Sequence, residues 1–347
     1  MATEVPLVSI VTPSYNQAEF LEETILSVVE QDYPNLEYII IDGGSTDGSV
    51  DIIRKYEDRL AYWVSEPDEG MSDGINKGWR QARGDILAWL NSDDTYVPGA
   101  VSTVIEFLSA HPEVDMVYGY VHITDGDGKV TQNIEPSTDF DLHRFIHSYF
   151  YLPQQTVFLR RHALDKVGML DASLQYCMDP DLWSRIGMHF NVRGTPAYIA
   201  NFRIHGTGKS HTPSLEWVHE RYLVAKRYGG ADNARPAALV LMYRWAQLLT
   251  RDFAADHRAM LERDWADLPD ELATAFQSSK GFIVSEAYME AGWAHGLSGR
   301  LSAAARCFWS AVREDPAVLV RDRGILPTIF RGSRRFLSAC RRRLTQA

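Results

Sequence analysis

Cysteine is scarce in this chain: Cys177, Cys307 and Cys340 are odd in number and far apart among 347 residues. That excludes a disulfide framework or a cysteine-built zinc site and fits a reducing compartment. Long apolar runs are absent too. None approaches the roughly 20 residues that a membrane span requires, and Met1-Ala2-Thr3-Glu4 carries neither the basic start nor the apolar core of a secretory signal. A soluble cytoplasmic protein is expected, resting at most on a membrane surface. Positive charge is in deficit. With 35 Lys and Arg against 46 Asp and Glu the formal net charge is −11, so nucleic acid is excluded as the partner of the chain as a whole. The glycines after Asp42 form neither G-x-G-x-x-G nor a Walker loop, which leaves dinucleotide and P-loop readings without support.

What is present is ordinary globular material: 45% hydrophobic and 23% charged residues, in a length that allows two domains or one with an appendage. The first hundred residues repeat one pattern. Leu7 to Pro13 is a β-rich run, followed by Ser14-Tyr15-Asn16-Gln17 and then Phe20, Leu21, Ile25, Val28 and Val29 at helical spacing. Leu36 to Ile41 is a second buried strand ending in Asp42-Gly43-Gly44-Ser45-Thr46-Asp47-Gly48-Ser49. Ala61 to Val64 leads through Ser65-Glu66-Pro67-Asp68-Glu69-Gly70 into a helix with Ile75 and Trp79. Ile86 to Leu90 delivers Asn91-Ser92-Asp93-Asp94. Alternating β and α at this spacing predicts a parallel sheet with helices on both faces, and four carboxylate-bearing loops converging on one crevice. Two adjacent carboxylates there repel each other. A hard divalent cation, Mg²⁺ or Mn²⁺, relieves that conflict and brings diphosphate oxygens with it; a turn whose Asp side chains cap backbone N–H groups is the plainer reading.

Those four loops, in order, resemble the inverting family 2 glycosyltransferases of the GT-A fold. The matching stretches are Val8 to Asn16, Ile41 to Ser49, Ser65 to Gly70, Asn76-Lys77-Gly78 and Leu90 to Asp94. The resemblance covers roughly residues 5 to 210 and implies a nucleoside-diphosphate-sugar donor, UDP first and dTDP or GDP next, with a hydroxyl acceptor. It implies donor contacts from Thr12, Pro13, Tyr15, Asp42, Ser45, Asp68, Asp73, Asn91, Ser92, Asp93 and Arg203, with Tyr15 stacking near the base and Asp42 hydrogen-bonding it. Asp93 falls at the end of the family's D-x-D element, where Asn91 replaces the first carboxylate and lowers the ligand charge. Asp93, Asp94 and His205 are the implied metal ligands. Leu152 to Arg161 looks like the acceptor side, placing Gln154, Gln155 and Trp183 there. In Tyr176-Cys177-Met178-Asp179-Pro180-Asp181-Leu182-Trp183, the family's general base maps to Asp179. The residues alone make Asp179 a helix N-cap before Pro180 and give Asp181 to the helix dipole. Arg203 and His205 alternate as if on one strand face.

Between these motifs, Thr124 to Lys129 reads as a hairpin tip, without the remainder of an EF-hand loop. After Ser210 only helices are predicted: Leu215 to Tyr228, Ala237 to Leu249 and Phe282 to Val312, with Gly292 to Pro316 resembling one tetratricopeptide unit. The division expected is a catalytic domain over 1–210 and a helical extension over 211–347. The basic stretch from Arg321 to Arg343 suggests either contact with an anionic membrane or a solvated tail. The proposed chemistry is sugar transfer in cell-surface polysaccharide or glycoconjugate synthesis. A nucleotidyltransferase lacks its basic glycine-rich loop here, and an inactive nucleotide-sugar-binding scaffold is the other alternative.

Overall fold

The computed structural model describes residues 5–147, 152–206, 214–230, 233–251, 257–298 and 300–315. The chain divides into two units, Met1–His211 and Thr212–Ala347. In the first, the predicted alternation is realised as β1 (Val8–Ser14), α1 (Ala18–Val29), β2 (Leu36–Asp42), α2 (Ser49–Lys55), β3 (Tyr62–Ser65), α3 (Met71–Gln81) and β4 (Ile86–Trp89). It continues with β5 (Thr95–Tyr96), α4 (Ala100–Ala110), β6 (Met116–Thr124), β7 (Val130–Ile134), α5 (Leu142–His147), β8 (Phe158–Arg160), α6 (Arg161–Val167), α7 (Met178–Gly187) and β9 (Val192–Arg203).

These strands form one nine-stranded sheet in the order β3-β2-β1-β4-β8-β6-β9-β5, with β7 paired to β6. The first four run parallel. Beyond them the sheet is mixed, since β8 runs antiparallel to β4 and β6 while β6 and β9 are parallel. Because β1 has β2 on one side and β4 on the other, the winding reverses between β1 and β4. That reversal opens the crevice at the carboxyl ends of the parallel strands, where ligands bind in open α/β sheets.

Both faces are covered. On one, Val8, Ile10, Ile40, Ile86, Ala88 and Val121 meet α1 and α4 in the main core. On the other, Trp79 of α3 packs edge-on to Trp89 at 5.4 Å, and Trp183 of α7 stacks on Trp89 at 5.3 Å. Period-2 alternation of β4 sends Trp89 to the face opposite Ala88, which is why one short strand serves two cores.

The second unit is helical: α8 (Leu215–Gly229), α9 (Arg235–Arg251), α10 (His257–Ala266), α11 (Asp270–Phe276), α12 (Lys280–Leu297) and α13 (Leu301–Glu314). Tyr222, Leu241, Trp245, Phe276, Ala287 and Ala311 share its core. Asp264 accepts from Arg244 Nε at 2.7 Å and from Trp245 Nε1 at 3.1 Å, tying α10 to α9 with paired polar groups. The predicted span from Phe282 to Val312 is two helices, α12 and α13, and α10 begins at His257, between two of the predicted helices. The basic tail lies outside the described residues, as does Pro316 of the repeat-like unit. Among the described residues no helix is long and apolar enough to cross a membrane.

At Gly119, β9 packs tightly against β6. A Cβ there would stand 2.4 Å from Ile199 Cγ1 and 2.7 Å from the Ala197 carbonyl, beside the register shift that separates Tyr118 from Tyr120. Gly119→Ala is expected to destabilise the first unit by about 1–3 kcal/mol, the range for overpacking, read as a lower urea midpoint.

Candidate active site

The crevice is built by loops that hold one another. Asn16 adopts a left-handed backbone, φ 51°, which is tolerated by asparagine better than by most residues. Its N–H donates to Ser45 Oγ at 2.8 Å, and its Oδ1 accepts from Thr46 N at 2.9 Å. The Ala18 N–H donates to Asp47 Oδ2 at 2.9 Å. These bonds fasten the β1 loop to the β2 loop and leave Tyr15 62% exposed between them.

Asp42 holds the second loop closed. It is fully buried, and its carboxylate accepts from Gly44 N at 3.1 Å, Ser45 N at 2.9 Å, Ser65 Oγ at 2.7 Å and the Ser45 hydroxyl. Asp42 is also the residue expected to hydrogen-bond a base. Its oxygens are committed to loop donors, and Ser45 is bound up in the same knot. The carboxylate that reaches over this loop is Asp68, whose Oδ2 would lie 2.8 Å from a Cβ on Gly43. Asp68 Oδ1 accepts from Gly70 N at 2.9 Å. Asp73 Oδ2 lies 3.2 Å from Lys77 Nζ and accepts from Glu69 N at 3.3 Å. Thr12 and Pro13 are buried within β1, the Thr12 hydroxyl 3.0 Å from that of Tyr38, so Tyr15 is the member of this segment that faces the crevice.

At the end of β4 the two carboxylates have opposite fates. Asp94 is 1% exposed; Oδ1 accepts from Arg203 N at 3.0 Å and Oδ2 from Asn91 Nδ2 at 3.4 Å. Burial, and then the neighbouring Asp93 charge, push the Asp94 carboxyl well above the usual range, against bonds from Arg203 N, Gln155 and Asn91. Asp93 turns the other way, and its Oδ2 lies 3.0 Å from His205 Nε2. His205 is two residues beyond the end of β9 rather than within it. Its ring packs on Phe20 at 4.4 Å.

The donor set was expected to be Asp93, Asp94 and His205. Among the described residues, no three His, Cys, Asp or Glu side chains gather to hold a metal ion. Asp94 is buried, with its oxygens on Arg203 N and Asn91 Nδ2. Asp93 and His205 do fit a divalent cation: two neighbouring ligands with bonds of about 2.0–2.1 Å stand about 3 Å apart. Diphosphate oxygens and water would supply the remaining positions, the usual arrangement for Mg²⁺.

Of the three residues expected on the acceptor side, Gln155 and Trp183 are buried and Gln154 is half-buried. Gln154 Nε2 donates to the Trp89 carbonyl at 2.9 Å, and Gln154 Oε1 accepts from Asn91 Nδ2 at 3.3 Å. Gln155 is buried against Asp94, and Trp183 is buried in the tryptophan stack. Ser92 is buried as well. Arg203 was expected to meet the nucleotide sugar. Its guanidinium instead donates to the Asp93 carbonyl at 3.1 Å, the Gly126 carbonyl at 2.8 Å and the Glu23 carboxylate.

Helix α7 starts two residues earlier than predicted, with Cys177 rather than Asp179 as its N-cap, so Asp179 lies in its first turn. Asp181 is buried and paired with Arg185 at 2.9 Å, whose Nη1 and Nη2 also bind the carbonyls of Val167, Gly168 and Met169. Asp179 stays half-buried. The segment leading to it is held by α3: Asn76 exchanges two bonds with Leu170, at 2.9 and 3.0 Å, and Ser72 Oγ donates to the Leu174 carbonyl at 3.2 Å. Neither role was foreseen, although Asn76 stood in a quoted motif; a polar residue on an otherwise apolar helix face was the available signal.

Comparison with known proteins bears on this geometry. The model of the family described as Glycosyl transferase family 2 matches residues 9–168. An uncharacterized glycosyltransferase of Mycobacterium tuberculosis is 30% identical over 232 residues, covering 63% of this chain and 87% of that protein. A Bacillus subtilis glycosyltransferase provisionally named for teichuronic acid biosynthesis, TuaG, is 39% identical over 106 residues, 30% of this chain and 42% of that protein. Among solved structures, S. aureus TarS 1-349 in complex with UDP-GlcNAc superposes with a TM-score of 0.56 at 16% identity, covering 88% of this chain and 92% of that one.

Because the Asp94 pKa is raised on folding, the folded state binds the extra proton. The stabilisation this gives is fully present below the unfolded carboxyl value, about 3.9, and is lost as pH rises through the folded value. Asn91 Oδ1 and Gln155 Oε1 are buried with no hydrogen-bond partner among the described residues, so either amide can turn its oxygen toward an introduced N–H. Asp94→Asn is expected to melt above wild type at pH 7.5, with the difference shrinking toward pH 4, in parallel thermal scans.

Proposed function

Because the chain belongs to glycosyl transferase family 2, we propose that it transfers a sugar, with inversion, from a nucleoside-diphosphate donor to a hydroxyl of a glycan, lipid-linked or small-molecule acceptor. The observation that carries this reading is the Asp93 Oδ2 to His205 Nε2 pair, 3.0 Å apart, at the crevice end of the parallel strands. The α/β sheet is of the GT-A kind, followed by a helical extension. Exposed Tyr15 would offer a face for the base, and Asp68, beside Gly43, would supply a carboxylate for its edge. We take the donor to be UDP-linked first, with dTDP or GDP as the alternatives. The teichuronic acid role for which TuaG is named supports cell-surface glycan synthesis as the setting.

In the reaction, Asp179 accepts the proton of the acceptor hydroxyl as that oxygen forms its bond to the anomeric carbon. The bond from that carbon to the diphosphate oxygen breaks on the opposite side, which inverts the configuration. Asp93 and His205 would hold a Mg²⁺ or Mn²⁺ ion, whose positive charge stabilises the departing diphosphate. Neutral His205 is required, since only its unprotonated nitrogen is a ligand. Asp181 is held by Arg185 and takes no part in the proton transfer.

A hydrolysis and transfer screen over nucleotide sugars, with Mg²⁺ or Mn²⁺, tests the assignment. Asp179→Asn is expected to lower turnover by about 10²–10⁴-fold, the usual contribution of a general base, while nucleotide binding by calorimetry stays near wild type. Asp93→Asn is expected to abolish transfer with the fold retained. Full turnover in Asp179→Asn would remove the base assignment, and wild-type transfer by Asp93→Asn would remove the donor-site assignment.

A further inference from the structure

Arg203 is 6% exposed and ends β9 beneath the Asp93 loop. Its contacts reach chain segments far apart in sequence. The backbone N–H donates to Asp94 Oδ1 at 3.0 Å, and Nε donates to the Asp93 carbonyl at 3.1 Å, so opposite ends of one residue grip both carboxylate-bearing residues. Nη1 donates to the carbonyl of Gly126 at 2.8 Å, in the β6–β7 hairpin tip, and Nη2 pairs with Glu23 of α1. The guanidinium carbon lies 5.0 Å from the centre of the Phe20 ring, and the ring of His205 lies 4.4 Å from it. Phe20 is thus packed against both Arg203 and His205, and that packing points His205 Nε2 at Asp93 Oδ2.

We propose that Arg203 is a positioning residue, a planar strut that, with Phe20, fixes the Asp93–His205 pair in place without touching the donor. The proposal rests on the donor site assigned above. Glu23 is 63% exposed, and a pair so open to water contributes little. The two carbonyl contacts are the ones that matter. They need the forked geometry of a guanidinium, whose N–H groups leave in fixed directions from one plane. An ammonium is a single point at the end of a flexible stem and reaches one carbonyl at a time.

That difference makes Arg203→Lys the decisive variant. If Arg203 met the diphosphate as a charge, lysine would preserve most of the donor binding. As a strut, Arg203→Lys and Arg203→Met both misplace Asp93, and a misplacement of about 1 Å can cost about 100-fold in rate. We expect kcat/KM to fall by that order in both variants, with a kcat loss in Arg203→Lys measured well below its melting temperature. Amide exchange supplies a reading that needs no nucleotide: the Asp94 N–H, bonded to the Asn91 carbonyl at 3.1 Å, and the Ile204 N–H, bonded to the Thr124 carbonyl at 2.8 Å, are expected to lose protection in Arg203→Lys while β2 keeps its own. Should Arg203→Met fail to fold, the lysine variant decides alone. Near-wild-type kinetics in Arg203→Lys, or a lowered melting temperature with unchanged kcat, KM and exchange, overturns the proposal. A wild-type protein that transfers no sugar would refute the donor reading instead, and the exchange result would still decide the strut.

Discussion

Burying one of two adjacent carboxylates is the constraint around which the first unit is arranged. Asp94 has almost no access to water, and an isolated buried carboxylate is too costly to leave without hydrogen bonds. The Arg203 N–H, the Asn91 amide and the Gln155 side chain converge on it. Supplying them requires the end of β9, the turn after β4 and the short turn at Gln154–Thr156 to meet at one point. With Asp94 anchored inward, the pleat and the turn direct Asp93 outward to His205. The division of labour between neighbours of identical chemistry thus follows from which one the core satisfies.

The same logic runs through the other loops. Asp42 is a carboxylate at a strand end, yet it acts as an internal cap for Gly44, Ser45 and Ser65. A rigid second loop can then hold the first through Asn16, and the exposed Tyr15 is carried on a frame that needs no ligand to form. Asn76 and Ser72 extend this to the segment before α7, so the turn carrying Asp179 is positioned by the same helix, α3, that follows the Asp68 loop. Preorganisation of this sort lowers the ordering cost of binding and keeps reacting groups in register.

In the helical unit, Asp264 shows how a polar group enters a core: it is paired with Arg244 and Trp245, and it joins α9 to α10. Apolar spacing revealed α8, α9 and the α12–α13 pair in outline. It missed α10 and α11, whose charged residues at 257–258 and 270–271 resemble those of a connector. Few positions there are fully buried, Leu261 in α10 and Leu272 and Phe276 in α11, too sparse to announce a period in sequence.

By itself the sequence determined what depends on local order: the apolar runs of β1, β2 and β4, the helices between them, and the polar loops that follow each strand. Parallel pairing then places those loop ends together, while Tyr15, Asp68, Asp93 and Asp179 are named as site candidates through the family resemblance of the motifs that hold them. Tertiary structure alone decided where each polar group points. Asp42, Asp94, Gln154, Gln155 and Arg203 carry the chemistry of ligand-binding residues, but each has internal partners, and all except Gln154 are buried. A sequence gives the donor and acceptor groups of a side chain. Whether those groups meet water, a ligand or another part of the chain is fixed by contacts between residues as much as 180 positions apart, as in the pair of Arg203 with Glu23.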